Sequence, residues 1–128
     1  MREILTSKNL PAPKFRYSPM VKTGPFYQMA GMIGLTSDGA LVTGGIGDET
    51  RQILENLQKA LPDFGMSLEN LVHATVFTSR FEDFPIINAE WEKVFTADVT
   101  PPSRSAIGVA RLPLDALVEI EFRLYKPE

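Results

Sequence analysis

The segment Leu117-Val118-Glu119-Ile120-Glu121-Phe122-Arg123-Leu124-Tyr125 decides the fold, because apolar and charged side chains alternate along it. An alternation with a period of two is typical of a β-strand that buries one of its faces. The apolar members, predicted to point into the core, are Val118, Ile120, Phe122 and Leu124. The opposite face carries Glu119, Glu121, Arg123 and Tyr125. The segment therefore predicts a half-buried strand that needs a hydrophobic layer on one side only.

The residues just before this segment, 103–112, also have the pattern of a strand. Residues 113–116 have the character of a tight connection, so we expect an antiparallel hairpin in which Val109 lies opposite Ile120 and Ile107 opposite Phe122. In this register the face of Glu119 also carries Arg104, Ala106, Gly108 and Ala110. Small side chains on that face would let another subunit approach closely, although a solvated face explains the same pattern.

The predicted hairpin also sets the distance between Arg104 and Glu119. Glu119 would lie opposite Ala110, which is six residues from Arg104, or ~20 Å at ~3.3 Å per residue. One arginine side chain cannot span that distance. If both residues serve one site, we expect them to come from neighbouring subunits.

Elsewhere the chain predicts two helices, at residues 48–64 and 83–96, each with apolar side chains on one helical stripe. Asp48 is the predicted N-cap of the first helix. Further strands are predicted near Ile4 and Met20 and at residues 26–33 and 71–78. The sequence thus predicts one α+β domain, residues 1–128, with two helices packed on one face of a mixed sheet.

The composition argues against several classes of function. The 128 residues have a net charge of −3 with scattered basic side chains, so nucleic-acid binding is not expected. The chain has no cysteine and one histidine, which excludes thiol nucleophiles and leaves too few ligands for zinc, and we expect no metal or cofactor. The longest uncharged stretch is shorter than the ~20 apolar residues that cross a bilayer, so we expect no membrane association and a cytoplasmic location.

Arg104 has the sequence context that most favours ligand binding. It follows Pro101-Pro102 and lies between Ser103 and Ser105. A guanidinium on a stiffened strand start can bind a carboxylate or phosphate through two parallel hydrogen bonds. The pattern alone also allows an ordinary surface ion pair.

Three other groups have weaker signals. Glu119 and Glu121 could supply a general base, yet alternating charges are common on exposed strands. His73 has no candidate partner in the sequence and is more typical of a surface or packing residue. Gly44-Gly45-Ile46-Gly47 precedes a helix but lacks the lysine and hydroxyl residue of a P-loop, so it predicts a loop.

Short motifs spread over nearly the whole chain together resemble one known family. They are Tyr17-Ser18-Pro19, the Gly31 segment, residues 52–57, Thr75-Val76-Phe77, Asp83-Phe84 with Asn88, Pro102-Ser103-Arg104-Ser105, Arg111-Leu112-Pro113 and residues 118–121. The family is that of the RidA/YjgF enamine/imine deaminases, also labelled the endoribonuclease L-PSP family. The resemblance implies a chorismate-mutase-like α+β fold, a homotrimer whose sheets line a central barrel, and ligand clefts between subunits.

The resemblance also implies roles for individual residues. Arg104 corresponds to the arginine that binds the substrate carboxylate, and Glu119 to the acid that positions or activates water near the imine carbon. Tyr17 and Asn88 resemble residues of the cleft. Ala30-Gly31-Met32 stands where members of the family commonly carry Ser-Gly-Gln, and this departure indicates a more apolar cleft in which Ala30 and Gly31 contact the substrate.

The leading functional hypothesis is hydrolysis of 2-aminoacrylate-type enamines or imines to 2-keto acids and ammonia, without a cofactor. One alternative is a pathway-specific deaminase of an aminomuconate-like acid. Another is a non-catalytic trimer that binds keto acids, other small carboxylates or partner proteins. The acidic balance and the single histidine give little support for RNA cleavage.

Overall fold

The protein is described by a computed structural model that covers residues 1–128. Six strands form one sheet: β1 (Arg2–Leu5), β2 (Met20–Thr23), β3 (Phe26–Met29), β4 (Leu71–Thr78), β5 (Ser103–Gly108) and β6 (Val118–Tyr125). The two α-helices are α1 (Ile46–Ala60) and α2 (Phe84–Val94). Short 3-10 turns occupy Leu61–Phe64, Leu68–Asn70, Phe81–Asp83 and Pro113–Asp115. The elements confirm the predicted α+β class.

The spatial order of the strands is β1-β2-β3-β6-β4-β5. All neighbouring pairs are antiparallel except β4 and β5, which are parallel and are joined through α2. The sheet is therefore mixed, as predicted. No helix of the chain is both long enough and apolar enough to pass through a membrane.

The predicted hairpin of β5 and β6 is wrong, because β4 lies between these two strands. Ile107 pairs with Phe77 of β4 rather than with Phe122, and Val109 lies beyond the end of β5, where its amide bonds to the carbonyl of Thr78 at 2.9 Å. The chain between the two strands crosses the end of β4, and Leu114 and Asp115 take positive φ there. A parallel β4-α2-β5 unit buries the apolar stripe of α2 against the sheet, which a local hairpin would not do.

Both helices pack on one face of the sheet, as the sequence predicted. The fully buried side chains there include Ile53, Leu54 and Leu57 of α1, Ile87 of α2, and Val118, Ile120, Phe122 and Leu124 of β6. The buried face predicted for β6 is thus confirmed. The predicted N-cap is wrong: Gly45 caps α1, and Asp48 lies in the first turn, where it forms an ion pair with Arg51.

The opposite, open face of the sheet has no helix over it and exposes large apolar side chains. These are Ile4 of β1, Phe26 of β3, Ile107 of β5 and Tyr125 of β6, each more than one-third exposed. Phe26 and Tyr125 contact each other with ring centroids 5.3 Å apart. The chain alone therefore leaves an apolar surface uncovered.

Candidate active site

Arg104 lies on the helix-covered face of the sheet, and the prediction that it shares a face with Glu119 is wrong. Arg104 pairs with Ala74 and Ala106 pairs with Val76, and both partners on β4 are fully buried beneath the helices. Partners in register point to the same side of a sheet. This wrong prediction has the same cause as the wrong hairpin. Alternation shows which residues of one strand share a face, but it does not show which other strand lies beside it.

Three side chains of α2 surround the Arg104 guanidinium. Its Nη2 donates to Asn88 Oδ1 at 2.8 Å, and its Cζ lies 5.1 Å from the ring centroid of Phe84 and 4.9 Å from that of Trp91. The three residues occur at i, i+4 and i+7, so one stripe of the helix faces the start of β5. The aromatic rings attract the cation through their negative faces and fix the plane of the guanidinium.

The Arg104 cation has no carboxylate partner within the chain. Its Nη1 is enclosed by the protein and has no hydrogen-bond partner. Burial lowers the pKa of Arg104, and the more distant charge of Glu92 only partly opposes this shift. A desolvated guanidinium held by an amide and two rings is not the ordinary surface ion pair that the sequence also allowed, and it favours binding of an external anion.

Glu119 lies on the open face, against the backbone of Gly31. A Cβ atom at residue 31 would collide with Oε2 of Glu119, so only glycine leaves room for the carboxylate in this position. Burial raises the pKa of the Glu119 carboxyl, and the neighbouring charge of Glu121 raises it further. A half-buried carboxyl whose pKa is shifted toward neutrality is suited to proton transfer.

A small cavity lies beside Gly31, separate from the Arg104 cluster. Its lining consists of Leu10, Pro11, Tyr17, Pro19, Met29, Ala30, Gly31 and Met32. Ala30 is held there by a hydrogen bond of its amide to the carbonyl of Pro19 at 2.9 Å, and Tyr17 is half exposed. The segment Ala30-Gly31-Met32, in which the sequence departs from the pattern of the family that it resembles, is thus a wall of this cavity.

The predicted site residues therefore form two separate groups in one chain. Arg104 and Asn88 are in contact on the helix-covered side, whereas Glu119, Gly31 and the cavity with Tyr17 and Ala30 lie elsewhere. Along β4, the partner of Glu119 is Phe77 and that of Arg104 is Ala74, three residues apart. This separation is ~10 Å along the strands and ~10 Å across them, about half the in-strand distance expected from the hairpin.

Sequence reasoning missed Phe84 and Trp91 as site residues. Trp91 belongs to the apolar stripe predicted for residues 83–96 and is buried, but one face of its ring also contacts the Arg104 guanidinium. The signal that could have identified them is an aromatic–amide–aromatic stripe on the helix that precedes the arginine strand. His73 contacts Ser103, with Nδ1 2.7 Å from Oγ, and lies in neither group. No group of three or more histidine, cysteine or acidic residues in the chain could hold a metal ion.

Comparison with known proteins identifies the family. Residues 7–124 match the family model described as Endoribonuclease L-PSP. A RutC family protein from Pyrococcus horikoshii is 38% identical over 127 residues, covering 98% of this chain and 99% of the relative. A 2-iminobutanoate/2-iminopropanoate deaminase from Dermatophagoides farinae is 34% identical, covering 94% of this chain and 93% of the relative.

A solved structure has the same fold along nearly its whole length. The crystal structure of E. coli TdcF with bound serine superposes with a TM-score of 0.88 at 28% identity, covering 97% of this chain and 98% of that one. The sequence match and the shared fold together confirm the family inferred from the short motifs. The chain belongs to the endoribonuclease L-PSP family, the family of the RidA and RutC proteins.

Proposed function

We propose that this protein is a deaminase that hydrolyses carboxylate-bearing enamines and imines of the 2-aminoacrylate type to 2-keto acids and ammonia. The observation that carries the proposal is the Arg104 guanidinium, which is fixed by Asn88, Phe84 and Trp91 but has no acidic partner. The name of the deaminase from Dermatophagoides farinae supports the same reaction class.

Arg104 binds the substrate carboxylate in this scheme. Its planar donors match a carboxylate, and the flanking rings leave the guanidinium little freedom to turn away. Because water is partly excluded from the cation, the attraction is stronger than that of an exposed arginine. This binding orients the imine carbon, and orientation alone can lower a reaction barrier substantially.

Glu119 moves the protons. An enamine first converts to its imine, and a water held by Glu119 then attacks the imine carbon while the carboxylate accepts a proton from that water. Glu119 passes this proton to the imine nitrogen, which gives a neutral carbinolamine. It then takes the proton of the new hydroxyl group and delivers it to the same nitrogen, so that the C–N bond breaks, the C=O bond forms and ammonia leaves. The raised pKa of Glu119 suits a group that must both accept and return a proton.

The complete site lies between two copies of the chain, and the copies assemble as a homotrimer. Arg104 and Glu119 are on opposite faces of one sheet, so a small substrate cannot contact both within one chain. The open face exposes Phe26, Ile107 and Tyr125, which a neighbouring subunit would cover. This arrangement keeps the two-subunit site that the sequence suggested, for a different geometric reason.

The substrate pocket is apolar on the Ala30 side, which favours a substrate with an apolar substituent. Ala30 and Met32 line the cavity that Tyr17 borders, without a side-chain hydroxyl or amide. An aminomuconate-like acid would present a second carboxylate to this wall. The shape therefore favours a short 2-imino acid over the dicarboxylic alternative.

The test is a direct assay of imine consumption. 2-Iminopropanoate and 2-iminobutanoate are generated in situ by an amino-acid oxidase, and their loss is followed by stopped-flow absorbance with ammonia measured at the end. We expect hydrolysis faster than in buffer for the wild type, and a value of kcat/KM lower by about 100-fold or more for Arg104→Lys. Wild-type protein that binds 2-keto acids in calorimetry but never exceeds the buffer rate would instead establish the binding-only alternative.

A further inference from the structure

Glu49, in the first turn of α1, is a buried carboxylate with no cationic partner in the chain. The residue is 4% exposed, and its Oε1 accepts a hydrogen bond from the backbone amide of Leu117 at 2.8 Å. Burial raises the pKa of this carboxyl, while the amides of Leu117 and Val118 oppose the rise. Burying a carboxyl without a lysine or arginine is costly, so its contact with the start of β6 calls for an explanation.

The start of β6 is held from both sides. Glu49 binds the amide of Leu117, and the carbonyl of Leu117 accepts from Thr78 Oγ1 at 2.7 Å and from the amide of Ser79 at 3.3 Å. A second anchor follows directly, because Ile120 and Met32 exchange two backbone hydrogen bonds, of 2.8 and 2.9 Å. Only Val118 and Glu119 lie between these two anchors.

The segment that receives the Glu119 carboxylate is tied to the same helical turn. Gly34 packs so closely on Glu49 that a Cβ at residue 34 would lie 2.8 Å from the carbonyl oxygen of Glu49 and 3.0 Å from its Cα. Gly31, against which the Glu119 carboxylate lies, is three residues away. The first turn of α1 thus contacts both the strand that carries Glu119 and the segment against which it lies.

We propose that Glu49 is a positioning residue for Glu119. Its hydrogen bond to the Leu117 amide fixes the position of the β6 backbone relative to Gly31. Glu49 thereby holds the Glu119 carboxylate in the position from which it activates the water that attacks the imine carbon. The inference rests on the proposed function for the catalytic role of Glu119. Its structural part, the placement of Glu119 by Glu49, is independent of any reaction.

The experiment compares Glu49→Leu with Glu49→Gln in the full-length protein. Leucine fills the space but accepts no hydrogen bond, whereas glutamine keeps an acceptor oxygen for the Leu117 amide. Thr50→Val is the matched control, because Thr50 is a fully buried neighbour whose Oγ1 bonds only within α1, to the Ile46 carbonyl at 2.8 Å. For each variant we measure the melting temperature, kcat and KM. The titration of the Glu119 carboxyl group is followed through the chemical shift of its carboxyl carbon by NMR.

We expect Glu49→Leu to lower kcat by about 10- to 100-fold, as for a small displacement of a catalytic group, with KM changed less than about twofold. In the proposed site the substrate carboxylate is bound by Arg104, which lies on β5 and not on β6. We therefore expect KM to change little. Glutamine should restore kcat to within about threefold of wild type. The Glu119 titration midpoint should fall toward its ordinary value in the leucine variant, because a displaced carboxyl is better solvated.

Two outcomes would overturn the inference. One is a Glu49→Leu protein with a lowered melting temperature but unchanged kcat and unchanged Glu119 titration, which is the behaviour expected of the Thr50→Val control. The other is an equal loss in the glutamine and leucine variants. If Glu49→Leu does not fold, Glu49→Asp replaces it, since it keeps the charge and withdraws the carboxylate by one methylene. If wild type has no deaminase activity, the proposed function fails, and the NMR titration alone still decides whether Glu49 positions Glu119.

Discussion

Arg104 and Glu119 lie on opposite faces of one sheet. Arg104 is in register with Ala74 on the side covered by the helices, whereas Glu119 is in register with Phe77 on the open side. Strand β4 lies between the strands that carry them. A carboxylate and an imine carbon are separated by a single bond in a 2-imino acid, so one substrate molecule cannot contact both residues of one chain. If both residues act on one substrate, as we propose, each copy of the chain would contribute half of two different sites.

Asn88→Asp should weaken substrate binding more than Asn88→Ala. An aspartate at this position places an acid where the Asn88 amide oxygen lies, 2.8 Å from Arg104 Nη2, and the internal ion pair then competes with the substrate carboxylate. We expect KM to rise about 10-fold or more for the aspartate variant, the size of one strong charged hydrogen bond, and less for alanine. The melting temperature should stay level or rise in Asn88→Asp. Steady-state kinetics of both variants provide the check, and a KM ordering of alanine above aspartate would contradict the free-cation interpretation.

Arg104→Lys should fold and assemble but lose most activity. Lysine keeps the charge, yet it lacks the planar pair of donors and stacks less well between Phe84 and Trp91. We expect kcat/KM to fall by about 100-fold or more, a loss of ~3 kcal/mol in transition-state stabilisation. Arg80→Lys is the control, because Arg80 forms an exposed pair with Asp83 worth at most ~1 kcal/mol. If both substitutions changed kcat/KM equally and only slightly, Arg104 would have no role in substrate binding.

The positions of the strands and helices could be predicted from the sequence more accurately than the pairing of the strands in the sheet. The bounds of β4 and the buried face of β6 are as predicted, because period-two alternation reports burial directly. The partner of β5 could not be derived, since alternation is the same in a parallel and an antiparallel strand. The face of the sheet on which Arg104 lies was therefore predicted wrongly as well, because it had been derived from the pairing of β5 with β6. An arginine on the core side is tolerated only because Phe84 and Trp91 lie above it, and that contact joins residues on two elements.

Glu119→Gln should slow hydrolysis while leaving carboxylate binding intact. Glutamine keeps the shape but accepts no proton, so kcat should fall by about 100-fold or more with little change in KM. Equilibrium binding of 2-oxobutanoate, measured by calorimetry, should be unchanged within about twofold. A variant that retains kcat would remove Glu119 from the chemistry.

The same substitution should stabilise the protein in a pH-dependent way. Because the pKa of Glu119 in the folded chain lies above its ordinary 4.5, the folded state holds this proton more tightly than the unfolded state. Wild type therefore loses stability as the pH rises from about the ordinary value through the folded value, and Glu119→Gln does not. The difference in unfolding free energy should be smallest below pH ~4.5 and reach a plateau at higher pH. Urea titrations from pH 4 to 8 measure it, with the exposed Glu55→Gln as the control for loss of a charge.

Gly31→Ala should disable the Glu119 half of the site without unfolding the protein. The new methyl group occupies the place of Oε2, and the carboxylate is the far end of a flexible side chain that can move away. We expect kcat to fall about 10- to 100-fold, as for a misplaced catalytic group, with little change in melting temperature. Gly47→Ala is the control, since a Cβ there meets only Ile86 at 3.3 Å and alanine favours a helix. Comparable kinetic losses in both variants would mean that the effect is not specific to Glu119.

Chains with Arg104→Ala and chains with Glu119→Ala should each be inactive but should complement each other when mixed. If every site takes Arg104 from one copy and Glu119 from its neighbour, a trimer with two chains of one kind and one of the other contains one site with both residues intact. Co-refolding equal amounts gives such mixed trimers in three-quarters of the random assemblies, so activity should return to about one-quarter of the wild-type value. Native mass spectrometry of differently tagged chains measures the mixing, and the imine assay measures the recovery. Proven mixed trimers without activity would show that each site uses both residues of one chain, which the opposite faces of Arg104 and Glu119 argue against.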